Sequence, residues 1–570
     1  MNVVLASDSV RYDSAAGLFS VNVTVSNLYP MPLGTADGVT VDPGGVRVFF
    51  QSGPVSTSGP GAVTVTNADG TGTFTGTEQV YFEYAQIVLT DATSAARTWT
   101  FGVPDSVASF SFAVYVEAAT PPGTSGVLRV SATNPRYFTD NTGRAVYLTG
   151  SHTWLNDQDG GYTDPPPAFD YEAYLDFLQA HHHNFFRLYH WEQAKWDVET
   201  ALPYFFSPQP YLRVADTVLA DTALDGKPKF DLTALDQSYF DRLRLRVMEA
   251  GQRGIYVSIM LFNGWSIEDK FNGPTNPWIG HPFNPANNVN GINTDPSNSG
   301  TGLMTQTLDI PAVTTLQVAY VEKVIDAVND LDNVLYEISN ESQAGGGTEQ
   351  WEDSIINLIH AYERGKPKQH PVGMTALSYG DNTSLFASPA EWISPLGYDS
   401  LPPAADGSKV IVWDTDHLCC DTLVDESFVW RAMTQGNNPI FMDPYDGTFP
   451  DVPPRNPNDP RWEQVRLNMG YSLTYANRMD LLNMVPNGNL ASTGYCLAAP
   501  GEGEYLVYLP TAGTVTVDLS GTSGSIALTT EWFSPSLGQV VGAGTVQGGA
   551  PQSLTAPGTV GPDAVLYVHP

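Results

Sequence analysis

The sequence predicts a multidomain chain, a (β/α)8 barrel flanked by an N-terminal and a smaller C-terminal β-sandwich. Three observations predict it. Residues 1–125 carry alternating Val, Thr, Ser and Phe runs between Gly-rich turns, with no helical period. Over residues 127–485, strand-like runs alternate with amphipathic helical runs. Over residues 488–570 the short alternating runs return.

The first domain is read from LFSVNVTVSNL, VRVFF, QVYFEYAQIVLT, TWTFGV and FSFAVYVEA. Turn signals separate them at Ala36–Gly38, Pro43–Gly45 and Asn67–Gly72. ATPPGTSG (Ala119–Gly126) reads as a linker. In the second domain AVYLTGSHTW is the first strand, FDYEAYLDFLQAHHH a helix and NFFRLYHW the second strand. The helix LDQSYFDRLRLRVMEAGQRG leads into IYVSIMLFNGW, and TTLQVAYVEKVIDAVNDLD into NVLYEISNES. TEQWEDSIINLIHAYERGKP leads into PVGMTAL; EWISPLGYD, KVIVWDTDHL and NPIFMDPYDG complete the eight strands. An open doubly wound sheet is the rival, but no Gly-rich phosphate loop follows any strand. EYLVYLP, TVTVDLS, SIALTTEWF and AVLYVHP supply the third domain.

Composition excludes several functions. Lys and Arg number 26 against 61 Asp and Glu, a formal charge of −35, so the cationic footprint of a nucleic-acid binder is missing. No apolar run reaches transmembrane length, so no membrane insertion is expected. Three cysteines, Cys419, Cys420 and Cys496, make no disulfide framework and read as buried free thiols. No charged-then-apolar signal pattern opens the chain, so a secreted, periplasmic or cell-surface location is expected from acidity and from the resemblance below.

Chemistry in a parallel barrel sits where its strands run out. The first strand ends in His152 and Trp154, the second in Arg187, Tyr189, His190 and Trp191, the third in Asn263 and Trp265. The fourth ends in Asn340 and Glu341, the sixth in Tyr398, the seventh in Trp413, Asp414, Asp416 and His417, the eighth in Asp443. Carboxylates and amides for hydroxyl groups, with flat aromatics for the apolar faces of rings, suit a carbohydrate. Glycoside hydrolysis needs two carboxyl groups, one acid and one nucleophile or base. Glu341 and a seventh-strand Asp, whose strand ends face each other across a closed barrel, would supply them. Asp414 follows Val410–Trp413 directly and is favoured as nucleophile, with Asp416, on the same side of an extended backbone, as the alternative. Except for Glu341, Tyr189 and the two acids, the strand-end residues just named are candidate substrate ligands. Catalysis by two carboxyls and a water needs no cofactor and no metal.

Other residues have structural readings. Glu337, inside its strand, reads as the buried partner of an Arg such as Arg187. His181–His183 are adjacent and point in different directions, which suits a helix end rather than a shared metal. The Asn156–Asp164 loop lacks the full ligand series of a calcium site.

GSHTW, RLYHW, SNE, and DTDH followed by NPIFMDPYDG resemble clan-A glycoside hydrolases. More narrowly, NPRYFTDNTGRAVYLTGSHTW and STGYCLAAPGEGEYLVYLPTAGTVTVDLS are similar to the apiosidase-type bacterial family and its uncharacterised relatives. The resemblance covers roughly residues 134–570. It implies a secreted glycosidase acting on a plant or microbial polysaccharide at a furanoside such as apiose or arabinose, with retention of configuration. It also implies Glu341 as acid/base and a seventh-strand acid as nucleophile. Where that clan usually offers Glu at the seventh strand, this chain offers Asp414 and Asp416. The alternative function is a non-catalytic carbohydrate-binding or cell-surface adhesion protein on a degenerate barrel. An acid at both required strand ends stands against it.

Overall fold

A computed structural model describes residues 3–570 apart from 28–31, 36–39, 75–76, 90–91, 120–125, 141, 198–201, 215–221, 269–274, 398–404, 418–423 and 451–454. The chain forms two compact units, Met1–Gly123 with Gln252–Gly254, and Thr124–Gly251 with Ile255–Pro570.

The first unit holds two antiparallel four-stranded sheets. One runs in the order Val3–Asp13, Leu18–Asn27, Arg97–Gly102, Thr64–Val65, the other Gly70–Gly72, Gln79–Tyr84, Val46–Ser58, Ser109–Ala118. Alternate residues of both sheets point inward, so Val23, Val25, Val46, Val48, Phe82, Trp99 and Phe101 share one core. Phe82 and Trp99 stack at 4.5 Å within it.

In the second unit eight parallel strands make the barrel: β1 (Gly150–His152), β2 (Phe185–Leu188), β3 (Tyr256–Asn263), β4 (Val334–Asn340), β5 (Val372–Thr375), β6 (Trp392–Ser394), β7 (Val410–Asp414) and β8 (Asn438–Met442). Their order is β1-β8-β7-β6-β5-β4-β3-β2. The ring nearly closes between β1 and β2, the two ends of this order, where just before both strands the Asn184 amide donates to the Thr149 carbonyl at 3.1 Å. Gly150 permits that approach, since a Cβ there would meet the Phe185 carbonyl oxygen at 2.2 Å. Every residue of these strands is buried, which is why they read as nearly unbroken apolar runs.

The helices are α1 (Tyr171–Ala180), α2 (Gln237–Gln252), α3 (Pro311–Val328), α4 (Thr348–Glu363), α5 (Thr383–Ala387), α6 (Glu426–Thr434) and α7 (Pro460–Arg478). Asp170, Asp425 and Asp459 cap α1, α6 and α7 by accepting backbone N–H bonds at 3.0 Å. Among the described residues no helix is long and apolar enough to cross a membrane.

Two local features depart from the sequence pattern. AVYLTGSHTW is split: Ala145–Val146 pairs with Phe138–Thr139 in a small antiparallel sheet, and only Gly150–His152 joins the barrel. Between them β8 satisfies the chain differently, with the Asn438 side chain accepting from Leu148 N and the Pro439 carbonyl accepting from the Thr149 hydroxyl. Between β2 and α2, Pro203–Ser207 pairs on one side with Lys195–Asp197 and on the other with the earlier Asp159–Gly161, and Tyr211–Val214 pairs with Lys229–Leu235. The sequence reading has no element for this stretch.

After α7 the chain builds a six-stranded sheet from Val485–Pro486, Cys496–Ala499, Glu504–Leu509, Ala564–His569, Ala527–Ser534 and Gln539–Gln547, plus the pair Thr514–Asp518 and Pro551–Thr555. Strand Glu504–Leu509 is buried on both faces. Tyr505, Val507 and Leu509 enter a core with Val515 and Val517, while Leu506 and Tyr508 enter another with Tyr475, Trp430 and Phe533.

Candidate active site

The barrel mouth is built in two layers. The lower layer is a buried charged network around Arg187, the third residue of β2. Its Nε and Nη2 donate to the two carboxylate oxygens of Glu337 at 2.9 and 2.6 Å. Its Nη1 donates to Asp414 at 2.7 Å and to Asp416 at 3.1 Å, and its Nη2 also donates to Asn340 Oδ1 at 2.8 Å. The pairing of Glu337 with Arg187 is the one the sequence suggested. Burial opposes charge on the guanidinium, but Glu337 and Asp414 raise it well above its ordinary range.

Asp414 closes β7 with no exposed side-chain surface. One of its oxygens meets His152 Nε2 at 2.9 Å and accepts from the Asp416 amide at 3.0 Å. Burial pushes its carboxyl up, yet the neighbouring His152 and Arg187 outweigh burial and hold it well below the usual carboxylate range. His417 contacts Ser394 Oγ through Nδ1 at 2.8 Å, and burial followed by the Arg187 charge keeps its imidazole below the ordinary range. Asn340 spends its amide on Tyr189, donating to the phenol oxygen at 2.7 Å.

The upper layer is a cavity of about 200 Å³. Trp154, Trp191, Trp196, Trp265 and Phe449 wall it. Phe449 stacks on Trp154 at 4.9 Å and on Trp191 at 5.0 Å, both at 16°. Trp265 stands edge-on to Trp191 at 5.1 Å and to Trp196 at 4.9 Å. Trp191 and Trp196 donate their indole N–H groups to the Trp154 and Thr275 carbonyls, each at 2.7 Å, which fixes the rings. Glu341, Asp416 and Tyr189 reach the same cavity, with Arg455 at its edge, 5.4 Å from the Trp154 ring centre.

Glu341 leaves β4 with φ 48°, a left-handed backbone uncommon for a residue with a side chain. The turn is packed tightly. A Cβ on Gly264 would meet the Glu341 carbonyl oxygen at 2.6 Å and Ser342 Cα at 2.4 Å.

The strand-end residues therefore divide. Trp154, Trp191, Trp265, Glu341 and Asp416 line the cavity; His152, Arg187, Asn340, Asp414 and His417 lie in the network beneath it. Four expected substrate ligands stand elsewhere. Trp413 alternates with Asp414 on β7, so its ring faces outward and stacks on Phe428 of α6 at 4.5 Å. Asp443 is held by Arg466 through bonds of 2.8 and 2.6 Å. His190 contacts Tyr239 at 3.1 Å and lines a separate cavity of about 10 Å³, room for about one water. Asn263 donates to the His190 carbonyl and accepts from the Trp265 amide, so it seats a cavity wall without facing the cavity. Tyr398, Cys419 and Cys420 lie outside the described residues. Cys496 is buried, and burial pushes its thiol up to about 12.

Sequence reasoning missed Trp196 and Phe449, both beyond the ends of the barrel strands, and Arg455. His183 accepts from Ser151 N and meets the Arg466 carbonyl, and burial lowers it to about 3, a structural role. Asp159 of the acidic loop is paired with Arg242 at 2.9 and 2.5 Å. Ligand atoms of Asp414, Asp416 and His417 lie within 4.8 Å of one another, a spacing a metal could use. Arg187 Nη1 already bridges the two carboxylates there, so a guanidinium holds the position of the metal's charge.

A family model described as "Putative collagen-binding domain of a collagenase" matches residues 482–569. No curated protein matches the chain. Among solved structures, a glycoside hydrolase family 5 protein from Bacteroides vulgatus ATCC 8482 is similar at 15% identity and TM-score 0.51, over 79% of this chain and 94% of that one. A chain from the same organism described as a "putative glycoside hydrolase" is similar at 12% identity and TM-score 0.51, over 100% of this chain and 98% of that one. The chain thus shares its fold with structures described as glycoside hydrolases.

Proposed function

We propose that the protein is a glycoside hydrolase in which Glu341 is the general acid/base and Asp416 the nucleophile. The observation that carries this reading is the pair of carboxyl groups, Glu341 and Asp416, reaching one aromatic-walled cavity. Asp414, favoured by the sequence, is enclosed by His152, Arg187 and the Asp416 amide, and its role in this reading is to fix Asp416. Glu341 protonates the leaving oxygen; Asp416 attacks the anomeric carbon; water then releases the sugar with Glu341 as base, and configuration is retained. The lower layer assists, because three carboxyl groups surround one guanidinium beneath a reaction whose transition state is positively charged.

The aromatic walls suit the apolar faces of a sugar. A cavity of about 200 Å³ is below the about 300–1,000 Å³ of drug-sized ligand sites, which suits one sugar residue. A furanosyl residue of a plant or microbial polysaccharide is the sugar that the sequence resemblance implies, and such a substrate and the acidic surface suit a protein working outside the cell. We take residues 127–485 as the catalytic barrel, with the sheets before and after it as β-sandwiches. The test is digestion of nitrophenyl glycosides and polysaccharides with product analysis, including NMR of the first anomer released. No product from any of them would end this reading, and inversion would end the nucleophile assignment.

The match to the collagen-binding family model favours a second reading, adhesion through residues 482–569. Retention of the chain on immobilised collagen, with no hydrolysis of any glycoside, would favour it.

A further inference from the structure

Tyr379 is 87% exposed, more than any other large hydrophobic residue described. A single exposed ring is ordinary on a protein surface. Two further facts set this one apart. Its backbone is left-handed, φ 61°, a conformation that a bulky residue rarely adopts. Its loop, which follows β5, is also fastened to the turn that carries Glu341. Ser378 N donates to the Ser342 carbonyl at 2.8 Å, and Ala344 N donates to the Ser378 carbonyl at 3.0 Å. The Ser378 hydroxyl donates to the carbonyl of Glu341 itself at 3.2 Å. The chain thus holds a solvated aromatic residue with a left-handed backbone, next in sequence to the residue that bonds the candidate acid's carbonyl, and outside the cavity wall.

Geometry and chemistry meet here. A general acid stands on the leaving-group side of the bond it cleaves. A cavity of about 200 Å³ holds the residue being released and leaves the next one at the rim. We propose that Tyr379 is the platform on which the leaving-group sugar stacks, and that the substrate is therefore the end of an oligo- or polysaccharide chain, cut one residue at a time. This rests on the glycosidase reading above.

The experiment compares wild type, Tyr379→Ala, Tyr379→Phe, Tyr379→Gly and Glu341→Gln on two kinds of probe. One is the polysaccharide cut fastest among pectin, arabinan, mannan and β-glucan; the other is the fluoride of the sugar it releases, whose leaving group cannot stack. Tyr379→Ala and Tyr379→Gly should lower kcat/KM on the polysaccharide by about tenfold, the scale of one lost stacking contact, and leave the fluoride rate unchanged. Tyr379→Phe should keep both rates. Tyr379→Gly should melt no lower than wild type, because glycine accepts the left-handed backbone, whereas a structural role would lower its Tm. Equal losses on both probes, or no loss on the polysaccharide, would overturn the proposal while an inactive Glu341→Gln left the glycosidase reading standing. A wild type that cuts none of the polysaccharides would overturn the proposal, and one that also releases no product from any nitrophenyl glycoside would overturn the glycosidase reading as well.

Discussion

Arg187 and Glu337 are joined by two hydrogen bonds, 2.9 and 2.6 Å, and neither side chain reaches solvent. Removing one partner of such a pair leaves the other charge buried and uncompensated. Arg187→Met should therefore lose about 3–5 kcal/mol in chemical denaturation. A loss below about 1 kcal/mol would show that water reaches the network.

Asp414 and Asp416 should separate under chemical rescue. Asp416→Ala and Glu341→Gln should each cut turnover by at least about a hundredfold, the lower end for a positioned acid or base. Azide should partly restore Asp416→Ala by taking the vacated place at the cavity. It should not restore Asp414→Ala, whose carboxyl lies beneath. Restoration of Asp414→Ala alone would reassign the nucleophile.

Glu352 lies on the buried face of α4, with Glu349, Asp353 and Glu337 as its charged neighbours. Burial first, and then those acids, raise its carboxyl well above its ordinary value of 4.5, against the Ser342 hydroxyl. The folded state then holds a proton that the unfolded chain releases near 4.5. This group's contribution to stability should fall, by about 1.4 kcal/mol per pH unit, from there up to its folded pKa. Glu352→Gln should lack that slope and surpass wild type in stability at neutral pH, while matching it near pH 4. Parallel stability–pH curves for the two proteins would refute a protonated Glu352.

Phe449 stacks on two cavity tryptophans at once. Phe449→Ala should raise KM by about tenfold, the scale of one lost stacking contact, because it removes one ring of the wall and frees the two tryptophans it stacks on. An unchanged KM would place the sugar away from this wall.

Chelation should leave activity intact, because Arg187 supplies the positive charge at Asp414 and Asp416. Loss of activity in EDTA, restored by a divalent cation, would point to a metal displacing that guanidinium.

The barrel was legible because buried parallel strands are continuous apolar runs and the intervening helices carry a clear amphipathic period. The strand ends located the mouth, and Glu341, Asp416, Trp154, Trp191 and Trp265 were found there. Depth was not legible. Asp414 and Asp416 share a side of the backbone, and only the three-dimensional positions of Arg187 and His152 decide which one is enclosed. Trp196 and Phe449 escaped because they sit on connecting segments, which carry no periodic signal and are positioned by ring packing alone.

Tyr475 of α7 packs against Phe533 at 5.4 Å and Tyr567 at 5.6 Å, and Trp430 of α6 meets Phe533 at 5.7 Å. The last helices of the barrel and the terminal sheet thus melt apolar surface into a single interior, so neither can be dried without the other. Such a tail is a poor candidate for exchange by recombination. A transplanted tail from a distant relative would arrive with rings cut to a different mould, and the recipient barrel would expose its own. Inheritance of residues 124–570 should therefore proceed as a block, with substitutions at Tyr475, Phe533 and Tyr567 drifting in concert rather than independently.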